Sequence, residues 1–352
     1  MFSREEKYRN IGNEALLTVG ALSNFLTWNQ YKALLRRYIS LLKSKQDQIK
    51  EAVGLITHVS VSLKNALCST KLGGDSQDIL RKFPARSEEP YKFLINEILP
   101  SLSKILDVRD SETVVARIPL SEALVNLVLG LKEEDTLSLL PGILTSVCQV
   151  LRSKSEELRD ATRKSLAKIT TTLGSNYLPF IIRELRSTLK RGSQIHVLSY
   201  TVHHVIMTLK ETLEHSDLDS SSVMLMNIIM EDIFGGAGEE KDSDNYHTKM
   251  KEVKVNRSYD TAEMLAANVS LPFFGTLLHP VKALLLQRMN FKSQNKLNEL
   301  LRRFSLGLKR NSEGSSADVL TVCHEIYLQS HKELPKKYSA VSSTVDQSKD
   351  FF

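Results

Sequence analysis

His203 and His204 are adjacent, and neutral imidazole is the commonest metal-ligating side chain. Consecutive residues of a helix diverge by about 100°, so these two rings share no face and do not form a ligand pair. They read as core or surface histidines. His324-Glu325 opens like the helix of a zinc protease, but Leu328 stands where the second histidine belongs. The pair occurs once, whereas iron-dependent hydroxylases built from helical repeats need repeated His-Glu pairs to hold two metals. Gly235-Gly236-Ala237-Gly238 is not followed by the Lys-Ser or Lys-Thr of a phosphate loop, and the acids Glu239, Glu240, Asp242 and Asp244 would repel phosphate. It reads as a flexible hinge. Cys68, Cys148 and Cys323 are odd in number and far apart, which suits neither a disulfide framework nor paired metal ligands and fits a reducing compartment. No catalytic residue, cofactor, metal site or small-molecule substrate is therefore expected.

What remains is charge. The formal net charge of +6 is modest for 352 residues, but its distribution is uneven. From Arg152 to Leu213 there are eleven Lys or Arg against five Asp or Glu, and from Pro280 to Arg310 eight against one. From Glu214 to Tyr246 the balance reverses to one base against nine acids. Basic blocks thus flank an acidic one. Such blocks either track a phosphate backbone or form an ordinary solvated rim at helix ends, where the macrodipole favours cations. The RNA-contact candidates are Arg152, Lys154, Lys190 and Arg191, with Arg302, Arg303, Lys309 and Arg310 from the second block.

The elements that carry these residues are helical. Apolar residues make up 41% of the chain, and Gly (15) and Pro (9) are scarce, which favours packed helices over turn-rich sheets. Thr27-Trp28-Asn29-Gln30 is a capping box, and two apolar stripes with helical spacing follow it as far as Cys68. A polar loop spans residues 69–90, and a helix begins near Tyr91. Leu99-Pro100, Leu140-Pro141 and Leu178-Pro179 recur 41 and 38 residues apart, near the two-helix period of HEAT and armadillo arrays. The clearest copies are 135–173 and 176–213. Ser153 and Glu156 suggest a second capping box, with Gly174 and Gly192 at helix exits. Arg152 with Lys154 and Lys190 with Arg191 then fall at matching turns, so stacking would align them along one edge. Asp160 and Arg163 are assigned to structure, as polar ties between repeats.

The expected organisation is HEAT-like repeats over 1–213, a helix plus Gly-rich acidic insertion over 214–259, further helices over 260–333 (Pro272 to Met289, Ser293 to Arg310 and Ala317 to about Glu333), and a disordered tail over 334–352. The fold class is all-α, a HEAT/armadillo-like α-α superhelix of antiparallel helix pairs. No stretch approaches about 18 uninterrupted apolar residues, and no apolar core of a signal peptide is present, so neither secretion nor membrane insertion is expected.

Several strings also resemble one family. They include Leu158-Arg159-Asp160-Ala161-Thr162-Arg163-Lys164, Glu184-Leu185-Arg186, His196-Val197-Leu198-Ser199-Tyr200-Thr201-Val202-His203, Asp232-Ile233-Phe234-Gly235, Lys249-Met250-Lys251-Glu252-Val253 and Leu300-Leu301-Arg302-Arg303. In this order they resemble the giant HEAT-repeat component twenty of the U3 small nucleolar RNA-associated set, the down-regulated-in-metastasis family. The resemblance implies a nucleolar, non-enzymatic scaffold of the small-subunit processome that binds precursor ribosomal RNA or small nucleolar RNA together with processome proteins. Family members are many times longer, so the match implies an internal section. A protein-only adaptor is the alternative.

Overall fold

The computed structural model describes residues 4–44, 48–71, 79–108, 110, 112–242, 250–285 and 289–333. Among them every regular element is a helix, apart from one isolated bridge between Thr27 and Arg81. None of these helices is long and apolar enough to cross a membrane. The chain is an all-α helical solenoid, and it divides into two units, Met1–Thr212 with Gly235–Arg257, and Leu213–Phe234 with Ser258–Phe352.

In the first unit, α1 (Arg4–Ser23) packs on α3 (Ile49–Lys71), which pairs with α2 (Trp28–Ser44). The expected capping box starts α2: the Gln30 amide donates to Thr27 Oγ1 at 3.4 Å, and the Thr27 amide donates to Gln30 Oε1 at 3.0 Å. Tyr31 is wholly buried and its hydroxyl donates to the Val59 carbonyl at 2.9 Å, tying α2 to α3. Trp28 closes the corner, edge-on to Phe83 and Phe93, with its indole N–H donating to Glu89. The next helix starts at Glu89, two residues before the expected Tyr91. It runs as α4 (Glu89–Phe93), a π turn over Leu94–Ile98, and α5 (Leu99–Leu106).

Two short helices follow, α6 (Val114–Arg117) and α7 (Leu120–Leu129). The two clear repeats are α8 (Glu133–Val150) with α9 (Glu156–Leu173), and α10 (Leu178–Thr188) with α11 (Ser193–Leu209). Helix α8 packs on α10, and α3, α7, α9 and α11 pack in succession. This is the two-layered stacking of a helical-repeat array, in which each pair covers the apolar flank of the next. Pro141 lies inside α8 and Pro100 follows the π turn within the continuous run 89–106, whereas Pro179 sits in the first turn of α10, where the missing N–H has no bond to lose.

Two sequence expectations shift here. The cap of α9 is Ser155, whose hydroxyl accepts from the Leu158 amide, while Ser153 accepts from the Ser155 amide. Ser155 has the extended backbone a cap requires, and Ser153 instead receives the Ser155 amide in the turn before it. Most of the glycine run is helical rather than loop. Gly236–Asp242 is a helix, α13, with Ala237 and Gly238 buried. Packing outweighs the low helix propensity of glycine there, and a short α14 (Lys251–Lys254) returns to the same unit.

The second unit holds α12 (Asp219–Phe234), α15 (Ser258–Asn268), α16 (Leu271–Leu277), α17 (His279–Leu285), α18 (Phe291–Arg310) and α19 (Ser316–Glu333). The single helix expected from Pro272 is two, separated at Leu278 just before Pro280. The expected tail at 334–352 lies outside the described residues. Phe304 meets Phe274 edge-on at 6.4 Å in the core, and Asn311 donates to the Ala266 and Val269 carbonyls, satisfying the end of α15.

Helix α18 approaches α15 closely at Gly307, where an added Cβ would lie 2.6 Å from the Ala266 Cβ and would also strike the Glu263 carbonyl oxygen. Gly307→Ala is expected to force the two helices apart and to destabilise this unit by about 1–3 kcal/mol, read as a lower midpoint in denaturant. Gly142→Ala, at a position with open space around its Cβ, should show no such loss.

Candidate nucleic-acid interface

The turn between α8 and α9 carries Arg152 and Lys154, both exposed. It is held from inside by Arg159, which is 2% exposed and donates through Nη1 to the carbonyls of Ser153 at 3.0 Å and Lys154 at 2.9 Å. A buried guanidinium must be compensated, and the compensation comes from α14. Glu252, 0% exposed, accepts from Arg159 Nε at 2.7 Å and Nη2 at 3.1 Å, and from Arg163 Nη1 at 2.9 Å. Arg163 also pairs with Asp160 at 2.6 Å and lies 4.9 Å over the ring of Tyr200 on α11. Lys251 donates to Asp160 at 2.6 Å.

The electrostatics follow from this geometry. Burial would raise the Glu252 carboxyl, but hydrogen bonds from Arg159 and the charge of Arg163 outweigh it and hold the group below the usual carboxylate range. His204 is held below the ordinary imidazole value by burial and by the Arg163 guanidinium, so it is neutral near pH 7. Asp160 and Arg163, expected as polar ties, do link α9 to α14 and α11.

Lys190 and Arg191 lie in the turn between α10 and α11, also exposed, followed by Gly192 at φ +53°. A side chain there would be strained. Thr145 of α8 donates to Glu184 of α10 at 2.7 Å across 39 residues, close to one repeat, and the Arg163–Tyr200 contact joins α9 to α11 at nearly the same spacing. Each contact joins positions equally far from the turns of the two repeats to within one residue, so the pairs stack in register and the turns lie at one end. None of Arg152, Lys154, Lys190 and Arg191 has an acid within ion-pair distance among the described residues. Of the acids beside the first turn, Glu156 pairs with Lys251 and Glu157 stays exposed.

The second basic block is different. Arg303 pairs with Asp260 and Glu263, both at 3.0 Å, and with Glu299 at 2.8 Å. Arg302 pairs with Glu299 at 2.7 Å, and Arg310 pairs with Glu263 at 2.5 Å. Two arginine hydrogen bonds pull the Glu299 carboxyl down to about 2. Lys309 is exposed and has no ion pair among the described residues. Two of the eight bases over 280–310, Arg303 and Arg310, are thus answered by acids on α15, which a count along the chain does not see.

A groove of about 560 Å³ lined by α1, α3, α7 and α9 contains His58, Glu122 and Lys168. Its carboxylate is already used: Glu122 accepts from Ser165 at 2.7 Å and from Lys168 at 3.1 Å. Among the described residues no group of three or more His, Cys, Asp or Glu is placed to hold a metal ion.

A family model described as the U3 small nucleolar RNA-associated protein 20 domain matches residues 108–327, more than half of the chain. The chain belongs to this family. Two curated relatives, both named U3 small nucleolar RNA-associated protein 20, match it. The protein from Saccharomyces cerevisiae is 56% identical over 100% of this chain, and that from Schizosaccharomyces pombe is 38% identical over 90%. The chain spans 14% of the length of the first and its match covers 13% of the second. The stretch matched by the U3 small nucleolar RNA-associated protein 20 domain contains both basic turns, Glu252 and the whole of α18.

Neither Arg159 nor Glu252 is a contact candidate from sequence, although both fall within strings shared with the family. Glu252→Gln is expected to cost about 3–5 kcal/mol, because it leaves two buried guanidiniums short of an anion. Hydrogen exchange should accelerate at the amides of 153–158, whose turn Arg159 holds. A carboxylate with a depressed folded-state pKa stabilises fully above the unfolded glutamate value of about 4.3. The stability gap between wild type and Glu252→Gln should thus be full at neutral pH and close as pH falls through the lower, folded-state value.

Proposed function

We propose that this chain is a non-enzymatic scaffold section that binds precursor ribosomal RNA, or small nucleolar RNA, and protein neighbours in the small-subunit processome of the nucleolus. The observation that carries this reading is the pair of stacked basic turns, whose four cations have no acidic partner among the described residues while a buried ion network holds the first turn in place. Membership of a family named for association with U3 small nucleolar RNA supports the choice of RNA. Phosphates would release counterions from Arg152, Lys154, Lys190 and Arg191, so affinity falls steeply with salt. Arg302, Arg303 and Arg310 take a smaller part, because their charge is already committed to α15 and to Glu299.

A protein-only adaptor is the second reading, favoured by exposed apolar side chains on α1 and α19, among them Ile11, Leu17 and Leu22 on the one and Leu320 and Tyr327 on the other. Filter binding of precursor ribosomal RNA across a salt series separates the two. The quadruple variant Arg152→Glu, Lys154→Glu, Lys190→Glu, Arg191→Glu should weaken binding and flatten the slope of log affinity against log salt by roughly 0.7 to 0.9 per lost phosphate contact. Binding that is absent, or insensitive to salt and to the variant, supports the adaptor.

A further inference from the structure

The outer face of α10 bears a stripe that neither the fold nor the basic turns require. Its inner face, Leu178, Ile181, Ile182 and Leu185, is buried, and its one acid, Glu184, is drawn towards α8 by Thr145. Outward lie Tyr177 and Phe180, each half-buried, with ring centroids 6.1 Å apart and planes inclined at 42°. The Arg183 guanidinium sits 5.6 Å over the Phe180 ring. Arg186 follows one turn later, exposed, and Lys190 and Arg191 complete the run into the basic turn. Arg183, Arg186, Lys190 and Arg191 meet no acid among the described residues.

Flat rings beside a row of uncompensated cations are the two components by which proteins hold single-stranded nucleic acid. Bases stack on aromatic or guanidinium planes, and cations follow the phosphates. A helix rises about 1.5 Å per residue, so Phe180 and Arg186 are about 9 Å apart along its axis, within reach of neighbouring nucleotides. A duplex hides its base faces and would use only the cations. An acidic protein surface would likewise answer the cations and leave the two rings unused.

We infer that Tyr177, just before α10, and Phe180 and Arg183 on it form a stacking platform for unpaired bases of an RNA strand whose phosphates run along Arg186, Lys190 and Arg191. This rests on the RNA-binding reading above and adds to it the form of RNA bound and the contact that selects it.

The test uses the full chain and a single-stranded oligoribonucleotide carrying one 2-aminopurine, whose fluorescence falls when the base stacks, beside the same strand in a duplex. The wild type is expected to bind the single strand more tightly than the duplex and to quench the probe. Tyr177→Leu and Phe180→Leu, which keep apolar bulk and remove the flat ring, should each weaken binding about fivefold to a hundredfold with the salt slope unchanged. Arg186→Gln should instead lower the slope by roughly 0.7. Melting curves matching wild type establish that the variants fold, and a variant that misfolds is replaced by Arg183→Gln, which removes the stacked cation alone. Equal affinity for both RNA forms, or unchanged affinity and quenching in the folded variants, overturns the platform and leaves the RNA reading standing. Absence of binding to either RNA overturns both. Loss of a processome protein with RNA affinity unchanged reassigns the stripe to that protein.

Discussion

Two guanidiniums taken out of water with one carboxylate between them impose the main constraint on the first unit. An isolated buried charge is too costly to persist, so Arg159 and Arg163 can point inward only because Glu252 is there to receive them. The donors lie on one helix of a repeat, and the acceptor arrives from a segment about ninety residues further along. That segment must therefore fold back onto the repeat. The same arginine that needs Glu252 spends its remaining donors on the backbone of a surface turn, so a buried charge and an exposed basic loop are mechanically one feature.

Stacking in register multiplies the effect. Because a residue on one repeat touches its near-equivalent on the next, whatever stands at a turn is brought beside what stands at the neighbouring turn. Cations separated by most of a repeat in sequence are thereby set at the same end of neighbouring pairs, although the whole chain is only mildly basic. The opposite happens in the second unit. There α15 lays its carboxylates against α18, held close by a glycine, and the charge of the arginines is largely spent inside the protein.

The helical class, the hairpins around 135–213 and the capping box at Thr27 are legible from residue order, because apolar spacing, proline and glycine act over a few neighbours. The cap at Ser155 is missed because Ser153, three residues before Glu156, fits the capping-box pattern, whereas Ser155, three residues before Leu158, does not. From Gly236 onward the glycine run is a helix where propensity argues against one, because Ala237 and Gly238 are buried. Arg303 and Arg310 look like Arg152 and Lys154 in sequence, and nothing local reveals that these two face acids 40 to 47 residues away.

Composition and periodicity alone thus determine that this chain is a helical-repeat protein without a legible catalytic motif, and the order of its shared strings carries its family. Which charges are free, which are buried and paired, and which rings share a face are decided only by tertiary structure. The reason is range: helix formation answers to contacts between residues three or four apart, whereas the pairing of an ion is settled by whichever opposite charge the packed chain brings within a few ångströms.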